Sequence, residues 1–176
     1  FLRFAPTVSV ILNVEEDHLD FFKDINDIIH SFHEFAELTP MNGLVVVNHD
    51  DPNAMRAVAH IDRRIRTFGT TSDADVYPTE VRDENGYYRF TVNIDGKEYA
   101  KVALSVPGRH NMLNALACCA AAEFLGVPGE AAEKGLNKFT GSSRRFQLVG
   151  KMPNGATVVD DYAHHPSEMK ATLSTA

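Results

Sequence analysis

Residues 7–47, TVSVILNVEEDHLDFFKDINDIIHSFHEFAELTPMNGLVVV, decide the fold. Thr7–Val14 is a short β-branched apolar run, the mark of a strand buried on both faces. A polar stretch, Glu15–Asp20, follows it. From about Asp24 to Leu38 the apolar residues Ile25, Ile28, Ile29, Phe32 and Phe35 recur at helical spacing, with Asp24 at the N-cap position. Gly43 closes the connection, and Leu44–Val47 is a second buried strand. Strand, helix, strand in that order predicts a parallel crossover, and so an α/β domain.

Beyond this unit, Asp51-Pro52 opens a short helix to about His60, and Arg66–Phe68 makes a small strand. From Val76 the period changes. Val76–Arg82, Tyr88–Ile94 and Tyr99–Val106 read as three strands joined at Glu84-Asn85-Gly86 and Asp95-Gly96, an antiparallel meander attached to the parallel sheet. Pro107-Gly108 ends the meander. Helices are expected over His110–Leu125 and about Glu130–Phe139. Gly141-Ser142-Ser143 is the best linker in the chain, which sets the expected domains at 1–141 and 142–176. After it come a strand near Phe146–Val149, a turn at Pro153-Asn154-Gly155, a buried strand over Ala156–Val159, and a helix from Pro166.

The 176 residues carry 17 basic and 24 acidic side chains, a net charge of −7, which argues against general binding to nucleic-acid phosphates. No apolar stretch reaches membrane-spanning length. Cys118 and Cys119 are neighbours in an Ala-rich run, and are expected to be two small core residues in a reducing compartment. The chain starts at Phe1 and stops at Ala176 inside a helical pattern, so a fragment of a longer polypeptide is expected. No sequence feature sets an oligomeric state.

Four segments could carry chemistry. Asn13–Asp20 leaves the carboxyl end of a buried strand, where open α/β sheets bind ligands, and its carboxylates and His18 suit a divalent cation. From spacing alone, a solvated acidic loop is the commoner outcome. Asn111 and Asn114 share one face of a helix's first turn, and a carboxamide matches N6 and N7 of adenine. A capping asparagine beside a surface one would look the same. Arg144-Arg145, just past the linker, could clamp phosphate oxygens across a hinge, or be a solvated basic pair. Asp160-Asp161-Tyr162-Ala163-His164-His165-Pro166 again follows a strand, where a carboxylate can accept from ribose hydroxyls and histidines can hold a metal, orient substrate or shuttle protons. The phosphate-cradling pattern G-x-x-x-x-G-K-[ST] is absent from these residues.

In this order, EEDHLDFF, PGRHNMLNA, GSSRRF and DDYAHHP resemble the Mur ligase family, ATP-dependent amino-acid ligases of bacterial peptidoglycan synthesis, over essentially the whole chain. The motifs are most similar to the branch that joins L-alanine to UDP-N-acetylmuramate. The branch that recycles the murein tripeptide comes next. The resemblance implies the later part of a central ATPase domain, followed by the start of a Rossmann-like C-terminal domain, in a cytoplasmic enzyme using ATP and Mg2+. It implies His18 as a magnesium ligand, Asn111 and Asn114 as adenine contacts, and Arg145 or Arg144 as the arginine reaching ATP phosphates. Asp161 would contact ribose, and Tyr162, His164 and His165 would form the wall near the phosphates and the incoming amino acid. It also implies that the chain alone is inactive. Two further readings stay open: a metal-dependent hydrolase built on His18, Asp20, His164 and His165, and a non-catalytic nucleotide-binding module.

Overall fold

The computed structural model describes all 176 residues. Six strands form one sheet in sequence order: β1 (Val8–Ile11), β2 (Leu44–Asn48), β3 (Ile65–Phe68), β4 (Val76–Glu84), β5 (Tyr87–Ile94) and β6 (Lys97–Ala103). The ladders from β1 to β4 are parallel, and those from β4 to β6 are antiparallel. The expected crossover is present: α1 (Ile25–Glu37) links β1 to β2, and α2 (Pro52–Ala57) links β2 to β3. Asp24 caps α1 by accepting from the N–H groups of Asn26 and Asp27. Asn85 and Gly86, both at positive φ, turn β4 into β5.

Strand β2 explains the layering. All five of its residues are buried, because alternate side chains enter different cores. Val45 and Val47 join Ile11, Ile28, Ile29, Ala54 and Ala57 on the α1–α2 side. Leu44 and Val46 join Phe68, Val76, Val92 and the residues of α3 (Arg109–Phe124) on the other. With α3 covering the second face, the sheet is closed on both sides.

Helix α4 (Gly129–Lys138) closes the free edge of β6 with side chains. Glu133 accepts from the N–H of Lys101, Asn137 accepts from the N–H of Ala103, and the Tyr99 hydroxyl donates to the carbonyl of Val127. The first two bonds satisfy β6 main-chain groups that another strand would otherwise take.

The remaining elements are a separate antiparallel hairpin, β7 (Gln147–Lys151) and β8 (Thr157–Asp160), and α5 (Pro166–Thr175). The expected buried strand at 156–159 is instead exposed. Val158 and Val159 are open to solvent, as are Leu148 and Val149 on the paired strand, because a two-stranded ribbon has no second layer. The cysteines meet expectation at one position only. Cys119 is buried in the α3 core, and burial pushes its thiol up to about 12. Cys118, 100° further back around the helix, faces outward. No helix is long and apolar enough to cross a membrane.

Candidate nucleotide and metal site

Segments at the carboxyl ends of the first strands are built around the β1 exit. Asn48 donates to the carbonyl of Leu12 (2.9 Å), and Asn53 donates to the carbonyl of Val14 (3.1 Å). The N–H of Val14 donates to one oxygen of Asp51 (3.3 Å), whose other oxygen caps α2 through Ala54. Three side chains of the β2–α2 segment thus fix the backbone that enters the acidic loop. Inside the loop His18 stands at φ 52°, a left-handed conformation that non-glycine residues seldom adopt. Its N–H donates to Asp17, and its carbonyl accepts from Phe21 and Phe22. The imidazole projects into solvent, 3.7 Å from the Asp17 carboxylate.

The α3 start carries the paired asparagines. Asn111 donates back to the carbonyl of Pro107 (2.7 Å) and accepts from Asn114 (3.3 Å). Asn114 is exposed, and its carbonyl oxygen has no protein partner. Gly108 at the N-cap has φ 103°, and a side chain there would run into the His110 ring. No side chain caps the first turn.

The second unit holds its candidates through a compact polar network. The Arg144 guanidinium lies 4.7 Å over the Tyr162 ring, and Tyr162 meets the edge of the His164 ring. Arg145 lies 3.5 Å from Glu168. Asp161 accepts from the N–H groups of Phe146 and Ala163 and from the Thr172 hydroxyl, so the residue expected at ribose also braces the β7 start against α5. Glu168 accepts from the N–H groups of His164 and His165 at the start of α5. The His164 bond leads in holding its carboxyl below the usual range.

The two units meet at two places. At one, partial burial pushes the His110 imidazole below its ordinary value, with Asp161 opposing and Arg145 reinforcing the shift. Beside it a cavity of about 560 Å³ opens between Tyr88, Gly108, Arg109 and His110 on one side and Ala171, Ser174 and Thr175 on the other. At the second, His165 reaches the main chain of Glu16. Arg145 and Asp161 therefore lie within electrostatic reach of the α3 start, and the acidic loop faces the histidine segment. His110, Asn48, Asp51, Asn53 and Glu168 had no assigned role. His110 lay within a quoted motif, but only the tertiary structure puts it beside Asp161.

No three His, Cys, Asp or Glu side chains gather to hold a metal ion, so the convergence that a hydrolase built on His18, Asp20, His164 and His165 requires is not formed. His18 with Asp17 offers a more open arrangement. A magnesium ion held here would take most of its ligands from water and phosphate oxygens, with His18 and Asp17 as the nearest donors of the loop.

The model of the Mur ligase middle domain matches residues 2–122, and that of the Mur ligase glutamate ligase domain matches residues 144–176. The chain is 47% identical over 177 residues to UDP-N-acetylmuramate–L-alanine ligase of Agathobacter rectalis, covering 100% of this chain and 38% of that protein. Among solved structures, MurF from Acinetobacter baumannii superposes with a TM-score of 0.84 at 28% identity, over 97% of this chain and 37% of its own. UDP-N-acetylmuramate-alanine ligase MurC from Thermotoga maritima superposes with a TM-score of 0.80 at 29% identity, over 99% and 39%. Structural likeness does not separate these two branches. The chain thus spans a little over a third of the length of these relatives. The middle-domain match covers most of the chain, and the sheet and the four motifs lie in the matched order: the chain belongs to the Mur ligase family.

Proposed function

We propose that this chain is the nucleotide-closing part of an ATP-dependent ligase that joins L-alanine to UDP-N-acetylmuramate in the cytoplasm, with residues 1–141 from the central domain and 142–176 opening the next. The observation that carries this reading is the cleft between the His110 end of α3 and the end of α5, with Asp161 and Arg145 within electrostatic reach of the His110 imidazole. The identity to the Agathobacter rectalis ligase supports the choice of branch over the tripeptide-recycling one.

In such a reaction the muramate carboxylate attacks the γ-phosphorus of ATP, giving an acyl phosphate and ADP. The amine of L-alanine then attacks the acyl carbon, loses a proton, and expels phosphate from a tetrahedral intermediate. Two anions must approach in the first step, so positioning and charge neutralisation dominate. A bound magnesium ion would draw charge from the phosphate oxygens, with His18 as its ligand from this chain. Asn114 would accept from the adenine amine through its free carbonyl oxygen, with Asn111 orienting it. Arg145, or Arg144, would meet the phosphates. Asp161 would hold the ribose side of the cleft, and Tyr162, His164 and His165 its amino-acid wall.

Without a phosphate loop in these residues, the 176-residue chain is expected to bind ATP weakly and to turn over none. A phosphate-release assay with ATP, magnesium, UDP-N-acetylmuramate and L-alanine checks this. Robust turnover by this chain alone would overturn the assignment.

A further inference from the structure

We infer that His165 is a positioning residue that ties the second unit to the backbone of the acidic loop, so that closure of the two units sets where His18 stands. This inference rests on the magnesium role proposed for His18.

Both ring nitrogens of His165 are committed. Nδ1 accepts from the N–H of Ser167 (3.4 Å) and lies 2.7 Å from its hydroxyl, which makes the imidazole the N-cap of α5. A carbonyl oxygen only accepts, so Nε2 carries a proton and donates to the carbonyl of Glu16 (2.9 Å). The Glu15 carboxylate stands 3.4 Å from Nδ1. One side chain therefore starts a helix in one unit and grips the main chain of the other, 149 residues away in sequence. The loop is held at its root as well, where Asn48, Asp51 and Asn53 fix Leu12 and Val14. Only Asp17 separates the gripped residue from His18, which itself stands at φ 52°. Because the contact goes to a backbone carbonyl, it constrains the position of the loop rather than the identity of its side chains.

Two substitutions separate the capping role from the grip. In His165→Asn the short carboxamide still caps α5 but does not reach Glu16. In His165→Gln the longer side chain restores a donor near the Nε2 position. In the 176-residue chain, amide exchange of residues 16–18 is expected to rise roughly three- to tenfold in His165→Asn, the scale of one net hydrogen bond, and to return toward parent in His165→Gln. In the full-length ligase carrying this segment, the magnesium midpoint for activity should rise by a similar factor in His165→Asn and recover in His165→Gln. Unchanged loop exchange in His165→Asn would overturn the grip. Equal loss of turnover in both variants at an unmoved magnesium midpoint would overturn it in favour of direct substrate contact. If exchange responds to His165→Asn but His18→Asn leaves the magnesium midpoint unmoved, the metal role of the loop falls, and the positioning role with it, although the contact itself stands.

Discussion

His110 carries the clearest electrostatic consequence of the way the two units meet. Its folded pKa lies below the ordinary 6.5, with partial burial as the main cause. As pH falls below 6.5 the unfolded chain takes up a proton that the folded chain refuses, so stability drops until the folded pKa is reached. His110→Gln should therefore flatten thermal stability against pH in the window just below 6.5. Parallel profiles for variant and parent would count against the coupling. Glu168 titrates lower: its contribution is complete above its ordinary value of 4.5 and is lost as pH falls through its depressed one, so the two effects separate on the pH axis. In the full-length ligase, Asn114→Ala should weaken ATP binding by about 1–3 kcal/mol, the scale of a bidentate base contact. An unchanged KM for ATP would remove that role. The asparagine pair was legible in the sequence because helical spacing alone puts both on one face. The charges around His110 were not, since Asp161 and Arg145 come from beyond the linker.

At the level of elements, α4 offers a paired test. A methyl at Gly129 would overlap the carbonyl oxygen of Tyr99, a backbone atom that cannot swing away. Gly129→Ala should destabilise by about 1–3 kcal/mol, as overpacking does. Gly135, in the same helix, has open space around it, so Gly135→Ala should stabilise by about 0.4–1 kcal/mol. Denaturant midpoints of the two variants should move in opposite directions; movement in the same direction would show that α4 does not seat against β6 through Gly129. The strands and helices of residues 7–139 were readable because burial on two faces leaves continuous apolar runs, and burial on one face leaves helical spacing. The second hairpin was misread for the same reason. Val158 and Val159 have the composition of a core strand, but composition does not say whether a covering layer exists.

Across the whole molecule, the six-stranded sheet has two unlike edges. The absence of ATP turnover expected of this chain belongs to this scale, because these residues hold no loop of the phosphate-cradling pattern. The fold class was legible from strand order and turn chemistry. The closeness of the two units was not, because the contacts that create it join positions such as Glu16 and His165 that local pattern cannot relate.

The side chains of Glu133 and Asn137 make β6 a terminus. Growth of the sheet is thereby one-directional: a further strand can be accepted only alongside β1, where Val10 and Leu12 remain uncovered. Any polypeptide that added itself there would arrive next to the anchored exit at Leu12–Val14. The β1 border of the sheet thus adjoins the pinned backbone that leads into the acidic loop.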